Sequence, residues 1–182
     1  MALGATICKA HISIADVDRH FYEDVTLTIA RHPSEKDERM MQRVLCYVLS
    51  AHEDLMFTKG LSTDDEPDLW QKNLVGDIEH WIELGQPDVR RIGKACGRAR
   101  EVTVQCYSGH SAELWFRKLE PELNRFKNLK VKNVLPEESV ALAQLAGRNM
   151  ELNAYVSEQQ VLFSNKDTSV QVNPQQWYPS ES

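Results

Sequence analysis

The feature that most constrains the fold is a strand, a helix and a second strand that follow one another closely. Residues 78–84 predict a strand, Pro87 and Asp88 begin a helix that runs to about Ala99, and residues 102–106 predict the next strand. A helical crossover of this length most economically joins parallel neighbouring strands. The sequence therefore predicts an α/β fold with a mixed β-sheet flanked by helices.

Further elements surround this unit on both sides. Alternating apolar residues predict a hairpin of strands at 5–15 and 21–31, and apolar residues at three- and four-residue spacing predict a helix over 35–51. Ser34 is expected to cap this helix. The remaining predicted elements are a strand at 69–72, a helix from about Ser111, a strand near Val131, a helix after Pro136, and two or three strands before Pro174. We expect the hairpin to extend the sheet and interpret residues 1–182 as one domain.

Composition restricts the compartment and the metal chemistry. With 42% hydrophobic and 26% charged residues, the chain resembles an ordinary globular domain. Because it contains neither a run of about 18 apolar residues nor a signal-peptide core, we expect a cytoplasmic protein with no membrane partner. Cys8, Cys46, Cys96 and Cys106 form no CxxC pair, and the histidines are not at ligand spacing. We therefore expect buried thiols and no structural zinc.

Charge is unevenly distributed along the chain. The net charge of −6 argues against indiscriminate binding to nucleic acid, because affinity for phosphates depends on concentrated Lys and Arg. Between Arg90 and Lys132, however, eleven basic residues accompany four acidic ones, which makes this segment +7 and the remainder −13. A polyanion-binding surface beside an acidic site has this pattern, and so does an ordinary solvated surface. If nucleic acid is a partner, Arg90, Arg91 and Arg98 are the candidate contacts.

Two acidic residues stand where neighbouring strands can bring them together. Asp68 directly precedes the strand at 69–72, and Glu83 lies near the end of the strand at 78–84, between apolar residues. A charge there must contact water, a partner or a metal. Two carboxylates can share Mg²⁺, which takes oxygen ligands, polarises a phosphodiester and activates a water. The alternative is a solvated strand face, and spacing alone does not decide between the two.

Three stretches of the chain closely resemble the YaeQ family, namely ARHPSEKDERMMQRVL, FTKGLSTDDEPDLW and WIELGQPDVRRIGKACGRA. That family resembles the PD-(D/E)XK nucleases, which implies a restriction-endonuclease-like core with extra N- and C-terminal strands. The resemblance puts Asp68 at the PD position and Glu83 at the acidic position of the (D/E)XK strand. It thereby implies that both residues are catalytic and hold Mg²⁺ or Mn²⁺, with Glu53 as an additional metal ligand.

The lysine of this motif is missing from its usual place, because Gly85 stands two residues after the acidic position. In the superfamily the lysine can migrate to the following helix, so the resemblance makes Lys94 the catalytic replacement. Lys72 is a second candidate and Gln86 a third. Helical periodicity directs Lys94 away from the buried stripe of its helix, so a solvated lysine is the alternative.

Two functions remain open at this point. The preferred one is a metal-dependent phosphodiester hydrolase acting on DNA or RNA. The alternative is a non-catalytic nucleic-acid or protein interaction module on the nuclease fold, for example in transcription regulation, because a fold does not settle function. An ammonium group close to both carboxylates favours the hydrolase, whereas a site filled by packing favours the module.

Overall fold

The computed structural model describes residues 4–59 and 65–180, whose strands and helices form a mixed α/β fold. In chain order the elements are β1 (Thr6–Asp16), β2 (Phe21–Arg31), α1 (Asp37–Leu49), β3 (Leu55–Phe57), β4 (Leu69–Lys72), β5 (Ile78–Leu84), α2 (Val89–Arg98), β6 (Ala99–Cys106), α3 (His110–Leu123), β7 (Leu129–Asn133), α4 (Pro136–Ala143), β8 (Asn149–Ser157), β9 (Gln160–Ser164), β10 (Ser169–Val172) and β11 (Gln175–Tyr178). The predicted α/β class is therefore confirmed.

The described residues form two compact units. One comprises the described parts of Met1–Ala51 and Glu137–Asn173, and the other those of His52–Pro136 and Pro174–Ser182. Each unit is built on its own mixed sheet. The expectation of one domain over residues 1–182 stays a prediction.

The first unit contains a five-stranded sheet in the order β10-β9-β8-β1-β2. β1 pairs with β2 in antiparallel register from Thr6 and Arg31 to Asp16 and Phe21, as the predicted hairpin requires. On its other side β1 pairs in parallel with β8. The hairpin therefore does not extend the sheet that contains residues 78–84, contrary to our expectation. The parallel partner, β8, lies more than a hundred residues after β1 in the chain. Local sequence patterns therefore do not predict this pairing.

α1 begins at Asp37, with Lys36 at the N-cap and no side-chain cap, so the predicted cap at Ser34 is wrong. The Ser34 hydroxyl lies 2.7 Å from Nδ1 of His32 instead. Glu35, which was expected to begin the helix, makes a buried ion pair with Arg43, with 2.6 Å between Oε2 and Nη2. The Ser34 hydroxyl and the Glu35 carboxylate therefore contact His32 and Arg43, and neither caps the helix.

The second unit contains a six-stranded sheet in the order β11-β7-β6-β5-β4-β3. β5, β6 and β7 run parallel to one another, and α2 connects β5 to β6, which confirms the predicted strand, helix and strand. The two other predicted strands of this region, at 69–72 and near Val131, are confirmed as β4 and β7. A core cluster that includes Trp81, Ile92, Val104, Leu123 and Val131 is buried in this unit.

Burial makes two of the cysteine thiols poor nucleophiles. The four cysteines are free, and burial raises the pKa of Cys106 to about 12 and that of Cys96 to about 11. A thiol with such a pKa is protonated at neutral pH and is a poor nucleophile.

In residues 4–59 and 65–180, no helix has the length and apolar character needed to cross a bilayer. The cytoplasmic location stays a prediction.

Candidate functional site at the ends of β4 and β5

Asp68 and Glu83 lie side by side across the ladder between β4 and β5. Leu69 is paired with Ile82, and the Asp68 N–H donates to the Ile82 carbonyl at 3.1 Å. Asp68, the residue before β4, therefore lies near Glu83, and its charge contributes to the raised pKa of that residue. Both residues are buried, with exposures of 5% and 8%. The structure thus brings together the two acids that the sequence singled out.

The carboxylate of Asp68 accepts a hydrogen bond from the backbone of β5. Its Oδ2 accepts from the Leu84 N–H at 2.8 Å. The backbone carbonyl of Asp68 accepts from the Thr58 N–H at 3.1 Å, across the ladder to β3. Asp68 therefore fixes the start of β4 against the end of β5 and against the neighbouring strand.

The carboxylate of Glu83 accepts hydrogen bonds from two side chains of the chain itself. Its Oε2 accepts from Nε1 of Trp81 at 2.9 Å, and its Oε1 accepts from Nε of Arg91 at 2.5 Å. Burial raises the pKa of Glu83, the two donors oppose this rise, and the charge of Asp68 adds to it. Arg91 therefore supplies the positive charge that neutralises Glu83.

This arrangement does not fit a Mg²⁺ or Mn²⁺ centre. Mg²⁺ requires an octahedron of oxygen ligands at about 2.0–2.1 Å. Both oxygens of Glu83 and one oxygen of Asp68 already accept N–H donors, and the Arg91 guanidinium lies directly against Glu83. Among residues 4–59 and 65–180, no three His, Cys, Asp or Glu side chains form a group that could hold a metal ion.

Glu53, the proposed additional ligand, is not brought to the acidic pair. β3 pairs with β4 so that Leu55 lies opposite Gln71, while Thr58 bonds to Asp68 at the other end of the ladder. Three residues of extended chain, about 10 Å, separate Leu55 from Thr58. Glu53 precedes β3 and is exposed. It therefore belongs to the end of the ladder away from Asp68.

The three candidate replacements for the motif lysine have other partners. Nζ of Lys94 lies 2.5 Å from Oδ1 of Asp65, Nζ of Lys72 lies 3.8 Å from the ring centroid of Trp70, and Nε2 of Gln86 donates to the Ser111 hydroxyl at 2.9 Å. None of the three makes a hydrogen bond or ion pair with the acidic pair.

Backbone geometry explains the missing lysine. Gly85 has φ +96°, in a region that side-chain-bearing residues adopt only with strain. The backbone conformation after β5 therefore disfavours a lysine at this position. β5 does not provide the lysine of the motif.

Cations on one side of α2 converge on a short acidic segment, residues 65–66. Besides the ion pair of Lys94 with Asp65, Nη1 of Arg98 donates to the Asp65 carbonyl at 2.9 Å, and Nη2 of Arg91 donates to the Glu66 carbonyl at 2.9 Å. The hydrogen bond from Lys94 lowers the pKa of Asp65, and the charges of Lys94, Arg98 and Arg91 lower it further. These three side chains therefore form one cationic row.

Arg90 lies next to this row and is exposed, and it makes no hydrogen bond or ion pair with any residue in 4–59 and 65–180. Of the three arginines proposed to contact nucleic acid, it is the one without a partner there. We name Arg90, Arg91, Lys94 and Arg98 together the α2 cation row.

Sequence reasoning missed the role of Arg91 and Trp81 as partners of Glu83. One signal was present, since Trp81 and Glu83 are two residues apart and therefore share a face of their strand. No comparable signal identified Arg91, because the distance between a helix and a neighbouring strand depends on packing. Asp65 was missed for the same reason.

Comparison with known proteins gives one consistent result. A family model described as YaeQ protein matches residues 1–174. A relative in Escherichia coli (strain K12), described as an uncharacterized YaeQ protein, is 42% identical over 177 residues, which cover 97% of this chain and 98% of the relative. A relative of the same description in Salmonella typhi is 40% identical over the same shares.

Two solved structures have the same fold over nearly their full length. The crystal structure of a YaeQ protein from Xanthomonas axonopodis pv. citri is 40% identical, has a TM-score of 0.92, and is matched over 95% of this chain and 98% of that chain. The crystal structure of a YaeQ protein from Pseudomonas syringae is 34% identical, has a TM-score of 0.91, and is matched over 97% of both chains.

Proposed function

The chain belongs to the YaeQ family, and from this premise we propose that it binds nucleic acid through the α2 cation row without cleaving it. We infer that β4, β5, α2 and β6 correspond to the PD-(D/E)XK core, with Asp68 and Glu83 at its acidic positions. In this chain the acidic pair is structural and holds α2 in place. Such a module acts on nucleic acid without cutting it, as a regulator of transcription does.

The observation that carries this proposal is the α2 cation row itself. Arg91, Lys94 and Arg98 are separated by three and four residues, so they lie on one side of the helix at neighbouring positions. Guanidinium and ammonium groups bind phosphate oxygens through charge-assisted hydrogen bonds. A row of them on a helix that is fixed to a sheet by the Arg91–Glu83 ion pair is a pre-organised contact for a phosphate backbone.

The surroundings of the acidic pair support binding over hydrolysis. An activated water needs a positioned base or a metal ion. Here the Glu83 carboxylate is neutralised by Arg91 and accepts a hydrogen bond from Trp81, and the candidate lysines have other partners. An acidic pair that accepts hydrogen bonds from the chain's own donors, with the candidate lysines engaged elsewhere, favours the interaction module.

We expect measurable, salt-dependent binding to single- or double-stranded DNA or RNA, weakened in an Arg90→Ala/Lys94→Ala variant. Each lost phosphate contact reduces the slope of log K against log salt by about 0.7–0.9. Fluorescence anisotropy with labelled oligonucleotides across a salt series measures both quantities. Lys94 pairs with Asp65 on the surface, so its loss has little effect on stability.

The matched control is Arg117→Ala/Lys118→Ala on α3. Both residues are exposed, and this variant removes the same charge as Arg90→Ala/Lys94→Ala. Equal weakening by the control would mean that net charge, and not the α2 cation row, governs binding. Absence of binding to all four nucleic-acid types at low salt would overturn the proposal.

A metal-dependent phosphodiester hydrolase is the second candidate, favoured by the position of Asp68 directly beside Glu83. Because the chain's own donors occupy these carboxylates, we expect no cleavage with Mg²⁺ or Mn²⁺ beyond that given by a Glu83→Ala preparation. Gel analysis of DNA and RNA substrates, single- and double-stranded, measures this. Metal-stimulated cleavage that is lost in Asp68→Asn would make the hydrolase the better description.

A further inference from the structure

Three cations of α2 are bound by the chain's own oxygens at residues 65–66. Lys94 pairs with the Asp65 carboxylate, and Arg98 and Arg91 donate to the carbonyls of Asp65 and Glu66. The segment thus presents one carboxylate and two carbonyls to the same side of α2. Guanidinium and ammonium groups bind phosphate oxygens by the same kind of contact.

This contact is held in place by the residues that follow it in the chain. Residues 65–66 lead directly into Pro67 and Asp68, and Asp68 is fixed by hydrogen bonds to Leu84 and Ile82. The segment is therefore kept close to α2 whether or not its own contacts are made. A tethered group has a high effective concentration at its site, so even a weak internal contact competes with a ligand that arrives from solution.

The contact is also easy to displace. The side chains of Lys94 and Asp65 are 52% and 77% exposed. Exposed ion pairs of this kind are worth little because water screens them. A phosphate backbone that reaches several cations at once can therefore replace the carboxylate. The segment reduces affinity for a polyanion without abolishing it.

We propose that residues 65–66 are an autoinhibitory contact, in which the Asp65 carboxylate occupies Lys94 in place of a nucleic-acid phosphate. This inference rests on the proposed binding of nucleic acid by the α2 cation row and adds its regulation. Asp65 lowers affinity in two ways, since it occupies a phosphate-binding cation and places a negative charge beside Arg98 and Arg91. Any change that neutralises Asp65 or moves residues 65–66 aside increases binding.

Asp65→Asn is expected to tighten binding of a labelled oligonucleotide about two- to fivefold at low salt, the range that corresponds to one exposed ion pair. The slope of log K against log salt is expected to change by less than the value of about 0.7–0.9 for one phosphate contact, because Lys94 contacts phosphate in both complexes and the substitution removes only the cost of displacing Asp65. Fluorescence anisotropy on the full chain measures both.

Two comparisons separate this mechanism from a simple change in net charge. Asp167→Asn removes the same charge at an exposed position in the other unit and is expected to leave affinity unchanged. In a Lys94→Ala background, Asp65→Asn is expected to lose most of its gain, because the cation that it releases is absent. This double-mutant cycle measures the coupling between the two side chains directly.

The outcomes distinguish the inference from the function on which it rests. Binding by the wild type that Asp65→Asn does not change, or a gain that Asp167→Asn reproduces, overturns the autoinhibitory contact and leaves nucleic-acid binding standing. A gain that persists fully in the Lys94→Ala background also overturns it. Absence of binding by both the wild type and Asp65→Asn overturns the inference together with the proposed function.

Discussion

Glu83→Ala is expected to lower the free energy of unfolding by about 1–3 kcal/mol, because it leaves two donors without their acceptor. The Trp81 indole N–H is buried in the core of its unit, and the Arg91 guanidinium keeps its bond to the Glu66 carbonyl. The Arg91 side chain is 26% exposed, so water recovers part of the loss. This keeps the expected effect below the 3–5 kcal/mol typical of a fully buried ion pair.

Urea unfolding followed by tryptophan fluorescence measures this effect, since Trp81 itself reports on the site. Glu120→Ala is the matched control, because Glu120 is exposed on α3 and its removal is expected to change stability by no more than about 0.5 kcal/mol. A metal-binding role predicts the opposite result, because loss of Glu83 then relieves repulsion with Asp68. Stability at or above that of the wild type would therefore count against the structural role.

Glu35→Ala is expected to be more damaging, with a loss of about 3–5 kcal/mol, because it removes the carboxylate that pairs with the buried guanidinium of Arg43. Arg43 and Glu35 have side-chain exposures of 3% and 2% and form a two-point contact, with Nε to Oε1 at 2.9 Å and Nη2 to Oε2 at 2.6 Å. Arg39 adds a third contact to Oε1 at 3.1 Å. Removal of the Glu35 carboxylate leaves the positive charge of Arg43 buried without this counter-charge.

The same unfolding measurement applies to this variant, with Glu120→Ala again as the control. A Glu35→Ala/Arg43→Met double variant is expected to recover much of the loss, because an apolar side chain of similar length removes the stranded charge. A Glu35→Ala loss below about 1 kcal/mol would contradict the expectation, since it would mean that Arg43 reaches water or another acceptor without strain.

The acidic pair illustrates how far sequence reasoning reaches. Asp68 and Glu83 were identified from their places at the ends of two predicted strands, and both are buried where β4 begins beside the end of β5. The function of the pair was not predictable in the same way. Which donors a buried carboxylate meets is decided by the packing of α2 against β5, which places Arg91 on Glu83 and directs Lys94 to Asp65.

The sequence by itself determined the local structure of this protein and its family. Alternation and three- to four-residue spacing of apolar residues specify strands and helices, because each element must bury one face, and this information is local. The strand at 78–84, the helix that follows Pro87 and Asp88, and the strand at 102–106 were predicted from it, and the structure begins the last of these strands at Ala99.

Only the tertiary structure decided which strands share a sheet and which charges neutralise one another. β1 pairs with β8 and does not join the sheet of β5. The Glu83 carboxylate accepts from Arg91 and is not left open to a metal ion. Both outcomes depend on distances between residues far apart in sequence and on competition among several donors for one acceptor. The outcome of such competition depends on free-energy differences of a few kcal/mol between alternative packed arrangements. Patterns of neighbouring residues in the sequence do not predict these differences.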